Sequence, residues 1–172
     1  MAFTVQNDIG TQAGANSYVT STEFKEYHKD RGNSVSAYST SQIQAAIVRA
    51  TDYLDLRFAY IGERSQSPQD TEWPRTNAFD IEEDLVNGVP TEVKEATYEY
   101  ALISLSATIN PIPLRDDTGQ TVTRKKERVG PIEEDTRYTE GPVFTMPKYP
   151  PADLKLIRRG LVIQGGTMRR AD

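Results

Sequence analysis

Ser39-Thr40-Ser41-Gln42-Ile43-Gln44-Ala45-Ala46-Ile47-Val48-Arg49-Ala50-Thr51-Asp52-Tyr53-Leu54 opens on a capping box. The Ser39 hydroxyl and the Gln42 amide are placed to cover the first exposed backbone N–H groups. Ile43, Ala46, Ile47, Ala50 and Leu54 follow the spacing of one buried helix face. Tyr53 and Phe58 widen that stripe, and the helix is expected to end between Phe58 and Gly62. A polar loop follows, and then Trp73-Pro74-Arg75, which holds the only tryptophan. Tryptophan here reads as a core anchor, with Pro74 setting the chain direction and Arg75 placed to pair with the acidic stretch after it. Tyr53, Leu54, Trp73, Pro74 and Arg75 are therefore assigned structural roles.

Upstream, Thr20-Ser21-Thr22-Glu23 is a second capping box. It opens a helix carrying Phe24, Tyr27 and His28 on one face and stopping near Gly32. Residues 1–19 mix a strand-like run with turn residues and read as an extended arm laid on a core, its own or a neighbour's. Downstream, Pro90 suits a first helical turn. Val93, Ala96, Tyr100, Ile103 and Ala107 form an apolar face that Leu102 and Leu105 extend, and Asn110-Pro111-Ile112-Pro113 ends it. Thr121 to Val129 reads as a strand with its return from Ile132, basic on the way out and acidic on the way back. Pro151-Ala152-Asp153 starts a short helix through Leu154, Ile157 and Leu161, followed by a basic tail.

The expected fold is mainly α. It is a small bundle of about three core helices plus a short C-terminal helix, with a β-hairpin and extended N- and C-terminal arms. The segments are an arm (1–19), a helical core domain (20–115), a charged hairpin and loop (116–150), and a C-terminal helix and tail (151–172).

Composition bounds the function. The 172 residues are 37% hydrophobic, enough for one modest core. There is no cysteine, which excludes disulfides, thiolate metal sites and thiol nucleophiles. No signal peptide and no apolar run of about 20 residues is present, so a soluble protein made in a cytoplasm, without a membrane, is expected. A net charge of −5 disfavours general affinity for nucleic acid, but the charge is uneven. Asp80, Glu82, Glu83 and Asp84 cluster in a loop; Arg124, Lys125, Lys126 and Arg128 cluster in the hairpin; Arg158, Arg159, Arg169 and Arg170 lie near the C-terminus.

No reactive constellation is visible. His28 is the single histidine, so neither a triad nor a two-histidine metal site can be built within one chain; it reads as a partly buried structural residue. The acidic cluster lacks the alternating ligands and central glycine of a calcium loop and reads as a solvated loop. The glycines form no phosphate-binding pattern. Neither enzymatic activity, a cofactor nor a metal is expected. The basic hairpin reads as a partner-docking strand, a phosphate-contacting hairpin or a solvated surface; it lacks the interleaved aromatic of a single-strand platform, which favours protein contact.

Gly14-Ala15-Asn16-Ser17-Tyr18-Val19, Ala50-Thr51-Asp52-Tyr53-Leu54, Trp73-Pro74-Arg75, Val89-Pro90 with Val93-Lys94-Glu95-Ala96, and Glu127-Arg128-Val129-Gly130-Pro131-Ile132 occur in a telling order. Over most of residues 14–132 it resembles a family of tailed-bacteriophage proteins labelled DnaT-like single-stranded-DNA-binding proteins. It also resembles the head-to-tail connector (adaptor or head-completion) proteins of phages with long tails. The connector resemblance implies a structural virion protein, assembled in the host bacterial cytoplasm. It would form a dodecameric ring at the head–tail interface beneath the portal protein, extending the channel for duplex DNA and carrying a tail terminator or stopper protein. Arg124, Lys125, Lys126 and Arg128 on one subunit would then meet Asp80, Glu82, Glu83 and Asp84 on the next. Arg158, Arg159, Leu161, Met168, Arg169 and Arg170 would dock the portal. The DnaT-like resemblance implies single-stranded-DNA binding and calls for a basic, aromatic-lined groove. The charge distribution favours the connector, with the DNA binder as the alternative.

Overall fold

A computed structural model describes residues 2–109, 122–128, 133–138 and 150–163, the two middle spans and Pro150 by their backbone. The helices are α1 (Ser21–Asp30), α2 (Thr40–Arg57), α3 (Thr91–Ser106) and α4 (Pro150–Arg159). The strands are β1 (Glu63–Arg64), β2 (Arg75–Thr76), β3 (Val122–Arg128) and β4 (Glu133–Tyr138). The mainly α fold with a small antiparallel hairpin is as the sequence predicts. The chain divides into one unit of residues 1–109 and 148–172 and a second of residues 110–147.

Both capping boxes form. The Glu23 N–H donates to the Thr20 hydroxyl and the Thr20 N–H to the Glu23 carboxylate, at 3.1 and 2.7 Å. Ser39 and Gln42 exchange the equivalent bonds at 3.3 and 2.8 Å. Such caps typically contribute about 1 kcal/mol each.

The buried face of α2 holds Ile43, Ala46, Ile47, Ala50, Thr51, Tyr53 and Leu54. It packs chiefly on α3, and α3 packs in turn on α4. The α3 face differs from expectation. It buries Val93, Ala96, Thr97, Tyr98, Tyr100, Ala101 and Ser104, while Leu102, Ile103 and Leu105 are half-buried and Ala107 is exposed. Hydrophobicity alone misplaced the stripe because the polar members are satisfied. The Thr97 hydroxyl donates to Val93 O at 2.8 Å, and the Ser104 hydroxyl accepts from Arg49 Nε at 2.7 Å, so neither pays the cost of an unpaired buried group. The helix also stops at Ser106, before the proline pair that was expected to end it.

The N-terminal arm lies on its own core. Gln6 N–H donates to Ser17 O at 2.8 Å, Asn16 N–H to Thr4 O at 2.9 Å, and Tyr18 and Val19 are buried. Tyr18 joins the two stretches that dominated the sequence. Its hydroxyl donates to Asp55 Oδ1 at 2.5 Å and accepts from Trp73 N–H at 3.2 Å. Asp55 Oδ2 accepts from Glu72 N–H at 3.1 Å. Trp73 is fully buried and meets the Tyr60 ring edge-on, 5.7 Å between centroids.

Arg75 turns back rather than forward. It donates to Ile61 O and Gly62 O, each at 2.8 Å, and pairs with Glu72 at 2.6 Å, not with the acidic stretch after it. Gly62 allows this closure: its φ is +71°, and an added Cβ would stand 2.4 Å from Thr76 O, so only glycine fits.

Burial pushes the Asp55 carboxyl up to about 7, despite two hydrogen bonds that favour its ionised form. The native state thus holds this proton more tightly than the unfolded chain, whose aspartate titrates near 3.8. Its contribution to stability is full below the unfolded value and is lost as pH rises to about 7. Asp55→Asn should flatten that decline, read from urea midpoints at about pH 5 and about pH 8. An unchanged slope would assign the proton elsewhere.

Residues 151–163 contribute to the core. Leu156 and Leu161 are fully buried. Ile61 N–H donates to Leu161 O at 3.1 Å and Ile163 N–H to Ala59 O at 2.8 Å. Lys155 pairs with Glu95 at 2.7 Å. Arg57 of α2 meets Asp153 of α4 at 2.6 Å, both side chains about nine-tenths buried, and the Tyr100 hydroxyl of α3 donates to the same carboxylate.

Candidate functional site

Lys25 and Lys29 stand one turn apart on α1, on the face away from buried Phe24, Tyr27 and His28. The helix ends at Asp30 with Arg31 as its C-cap, and Gly32, at φ +74°, sends the chain through Asn33, Ser34 and Val35 to Tyr38. Ser39 then caps α2. Between helix and loop lies a groove of about 580 Å³, lined by Lys25, Lys29, Asn33, Ser34, Ser36 and Tyr38, with Val35 beneath. Val35 is buried and Tyr38 half-exposed.

Buried His28 holds Asn33, a lining residue of this groove, in place. Its Nε2 lies 3.1 Å from Tyr98 O and its Nδ1 lies 3.3 Å from Asn33 Nδ2. The neutral tautomer with the proton on Nε2 satisfies both contacts. Burial holds the ring below its ordinary pKa, against the backbone hydrogen bond to Tyr98 and the nearby Glu99 charge. His28 is thus a fully buried structural residue that fixes Asn33, whose N–H also donates to His28 O at 2.9 Å. Across the groove mouth, Lys25 Nζ donates to Thr40 Oγ1 of α2 at 3.3 Å.

Among the described residues no carboxylate lines the groove; Glu26 and Asp30 stand on the adjoining face of α1. Two ammonium groups, several hydroxyls, an amide and one aromatic face suit a ligand with anionic oxygens and flat rings. Sequence reasoning passed over these residues. The readable signal was a lysine pair at i, i+4 followed by a Gly-Asn-Ser turn. That Tyr38 comes back beside that pair depends on the loop path.

The residues singled out in the sequence lie elsewhere. Asp80 is buried, accepts Glu82 N–H and Asp84 N–H at 2.9 and 3.0 Å, and sits 2.8 Å from Arg159. That last contact is close in charge but not aligned as a hydrogen bond. Asp80 is therefore an internal turn former, and the loop is not simply a solvated one. Glu82, Glu83 and Asp84 are exposed beside Phe79, Ile81 and Leu85, which are 54%, 71% and 51% exposed. Arg159 is drawn into contacts with Asp80 and Glu92. Arg158 is exposed and Leu161 is fully buried, so Leu161 offers nothing to a docking partner. Met168, Arg169 and Arg170 lie outside the described residues.

Arg124, Lys125, Lys126 and Arg128 fall on β3, where the backbone alone is described. The register sets Lys126 opposite Asp135 and Arg128 opposite Glu133, but also Glu127 opposite Glu134 and Arg124 opposite Arg137. Charge complementarity between the strands is thus mixed. Trp73, Pro74, Tyr53 and Leu54 are buried and Arg75 is half-buried.

No curated protein and no solved structure matches the chain. A family model described as "Putative DnaT-like ssDNA binding protein" matches residues 1–171, extending the resemblance through the C-terminal residues. This match overturns the connector reading, together with its ring, its portal and tail-protein partners and its passage of duplex DNA. The physical error lay in judging a binding surface by the net charge of −5, when short-range contacts depend on the charges lining the site. By the match across residues 1–171, the chain belongs to the DnaT-like single-stranded-DNA-binding family.

Proposed function

We propose that the protein binds single-stranded DNA through the α1 groove, with Lys25 and Lys29 on backbone phosphates and Tyr38 stacked on a base. The observation that carries this reading is a groove holding two lysines and an aromatic face, with no carboxylate among the described residues that line it. Single-strand sites combine such a positive surface with a stacking platform. The family to which the chain belongs supports the same ligand. The mechanism needs no chemical step. The excess of acid elsewhere repels phosphate at long range, so affinity at physiological salt is expected to be modest, about micromolar.

Fluorescence anisotropy with a labelled oligothymidylate across a salt series tests this. Wild-type affinity should fall steeply with salt. Lys25→Ala/Lys29→Ala should flatten the log–log slope by about 1.4, two phosphate contacts at about 0.7 each. Tyr38→Ala should weaken binding about tenfold with little change in slope. Circular dichroism should show all variants folded, since the three side chains lie outside the core. Variants that bind with the wild-type affinity and slope would refute the site.

A further inference from the structure

A second groove, of about 430 Å³, runs beside the first turns of α2, where Ser41, Gln44, Val48 and Arg49 face Phe3 and Asn16. We propose that a bound single strand continues from the α1 groove into this one, where Phe3 stacks on a base and Arg49 contacts phosphate. The proposal rests on the reading above and extends it with a second subsite.

The two grooves take lining residues that are close in the chain, the first from the loop just before α2 and the second from the first turn of α2. Tyr38 closes the first and Ser41 opens the second, and between them Thr40 receives Lys25. Ser41, Gln44, Ala45 and Val48 follow i, i+3, i+4, i+7, the stripe of α2 opposite its buried face. From Ser41 to Arg49 the helix advances about 12 Å. Asp52, exposed one turn beyond Val48, puts a negative charge where the track ends.

Both proposed contact residues are held in place before any ligand arrives. Asn16 brackets Phe3. Its Nδ2 donates to Ala2 O at 2.8 Å, its Oδ1 accepts from Thr4 N–H at 2.9 Å, and its N–H donates to Thr4 O at 2.9 Å. Arg49 is pinned across to α3, with Nε on Ser104 Oγ at 2.7 Å and Nη2 on Ser104 O at 3.1 Å. That leaves Nη1 to reach a ligand, and a fixed guanidinium loses little freedom on binding. Among the described residues no carboxylate lines this groove either, and Arg49 is its charged member, so its charge complements a phosphodiester.

Length dependence separates the two subsites. A labelled oligothymidylate of about four nucleotides can occupy one groove and one of about twelve can span both. Phe3→Ala should weaken the longer ligand about tenfold and leave the shorter one bound as by wild type, with Phe3→Trp restoring the loss. Gln44→Glu, on the solvent side of α2, places a carboxylate in the track without touching the core; it should weaken the longer ligand alone. Lys25→Ala/Lys29→Ala should weaken both. Wild-type binding of the longer ligand by Phe3→Ala and Gln44→Glu would overturn the second subsite and leave the first intact. Failure of wild type to bind either oligonucleotide would overturn both readings.

Discussion

Asp153→Ala should cost about 3–5 kcal/mol of folding stability, the loss expected when one partner of a buried ion pair is removed. Asp153 draws three helices together: α4 carries it, Arg57 of α2 approaches it at 2.6 Å, and Tyr100 of α3 donates to its other oxygen. Arg57 Nη1 also donates to the Tyr100 hydroxyl at 2.5 Å. Removing the carboxylate takes the Asp153 charge away from a guanidinium that is 11% exposed. It also removes the Asp153 oxygen to which the Tyr100 hydroxyl donates. The carboxylate further stands in the first turn of α4, where a negative charge favours the helix dipole. Urea unfolding followed by far-ultraviolet circular dichroism should show the midpoint falling. Tyr100→Phe should lose less, and the double variant should lose less than the sum, with a coupling of about 1 kcal/mol or more. Additive losses would show that the phenol and carboxylate act independently.

Trp73→Ala should destabilise by about 3–5 kcal/mol, as large-to-small changes at buried aromatics do. The side chain is fully buried, and its backbone N–H is the donor that ties this loop to Tyr18. The cavity would open between Tyr60 and the Tyr18–Asp55 contact, loosening the N-terminal segment as well as the loop. Trp73→Phe should cost much less. The indole Nε1 has no hydrogen-bond partner among the described residues, so phenylalanine sacrifices volume but no polar contact. A loss from Trp73→Phe as large as that from alanine would mean that the indole makes a contact this packing does not account for. The midpoint in urea, followed by circular dichroism because the variants lack the only tryptophan, measures both.

The helices were legible where the signal is local. Thr20 with Glu23 and Ser39 with Gln42 announce their helices because a capping box is completed within four residues. The α2 stripe was legible because its buried positions are apolar. On α3 the same reasoning missed Thr97 and Ser104, whose burial depends on one bond within the helix and one from a different helix. Arg75 was given the wrong partner, since Glu72 and the carbonyls of Ile61 and Gly62 become its neighbours only when the loop closes. Asp80 was grouped with three exposed carboxylates for the same reason. Adjacency in sequence carried no information about Arg159.

The candidate site was the least legible. Neither lysine is unusual, and Phe3, Tyr38 and Arg49 belong to no contiguous motif. The sequence by itself determined the helical class, the two capped starts and the family resemblance, because each rests on residues close in the chain or on their order. Tertiary structure alone decided that the arm covers its own core, that α4 is locked by Arg57 and Tyr100, and that the acidic chain has grooves with no carboxylate among their described lining residues. Those outcomes turn on where distant side chains meet and which charges share a surface, quantities that a one-dimensional order of residues does not contain.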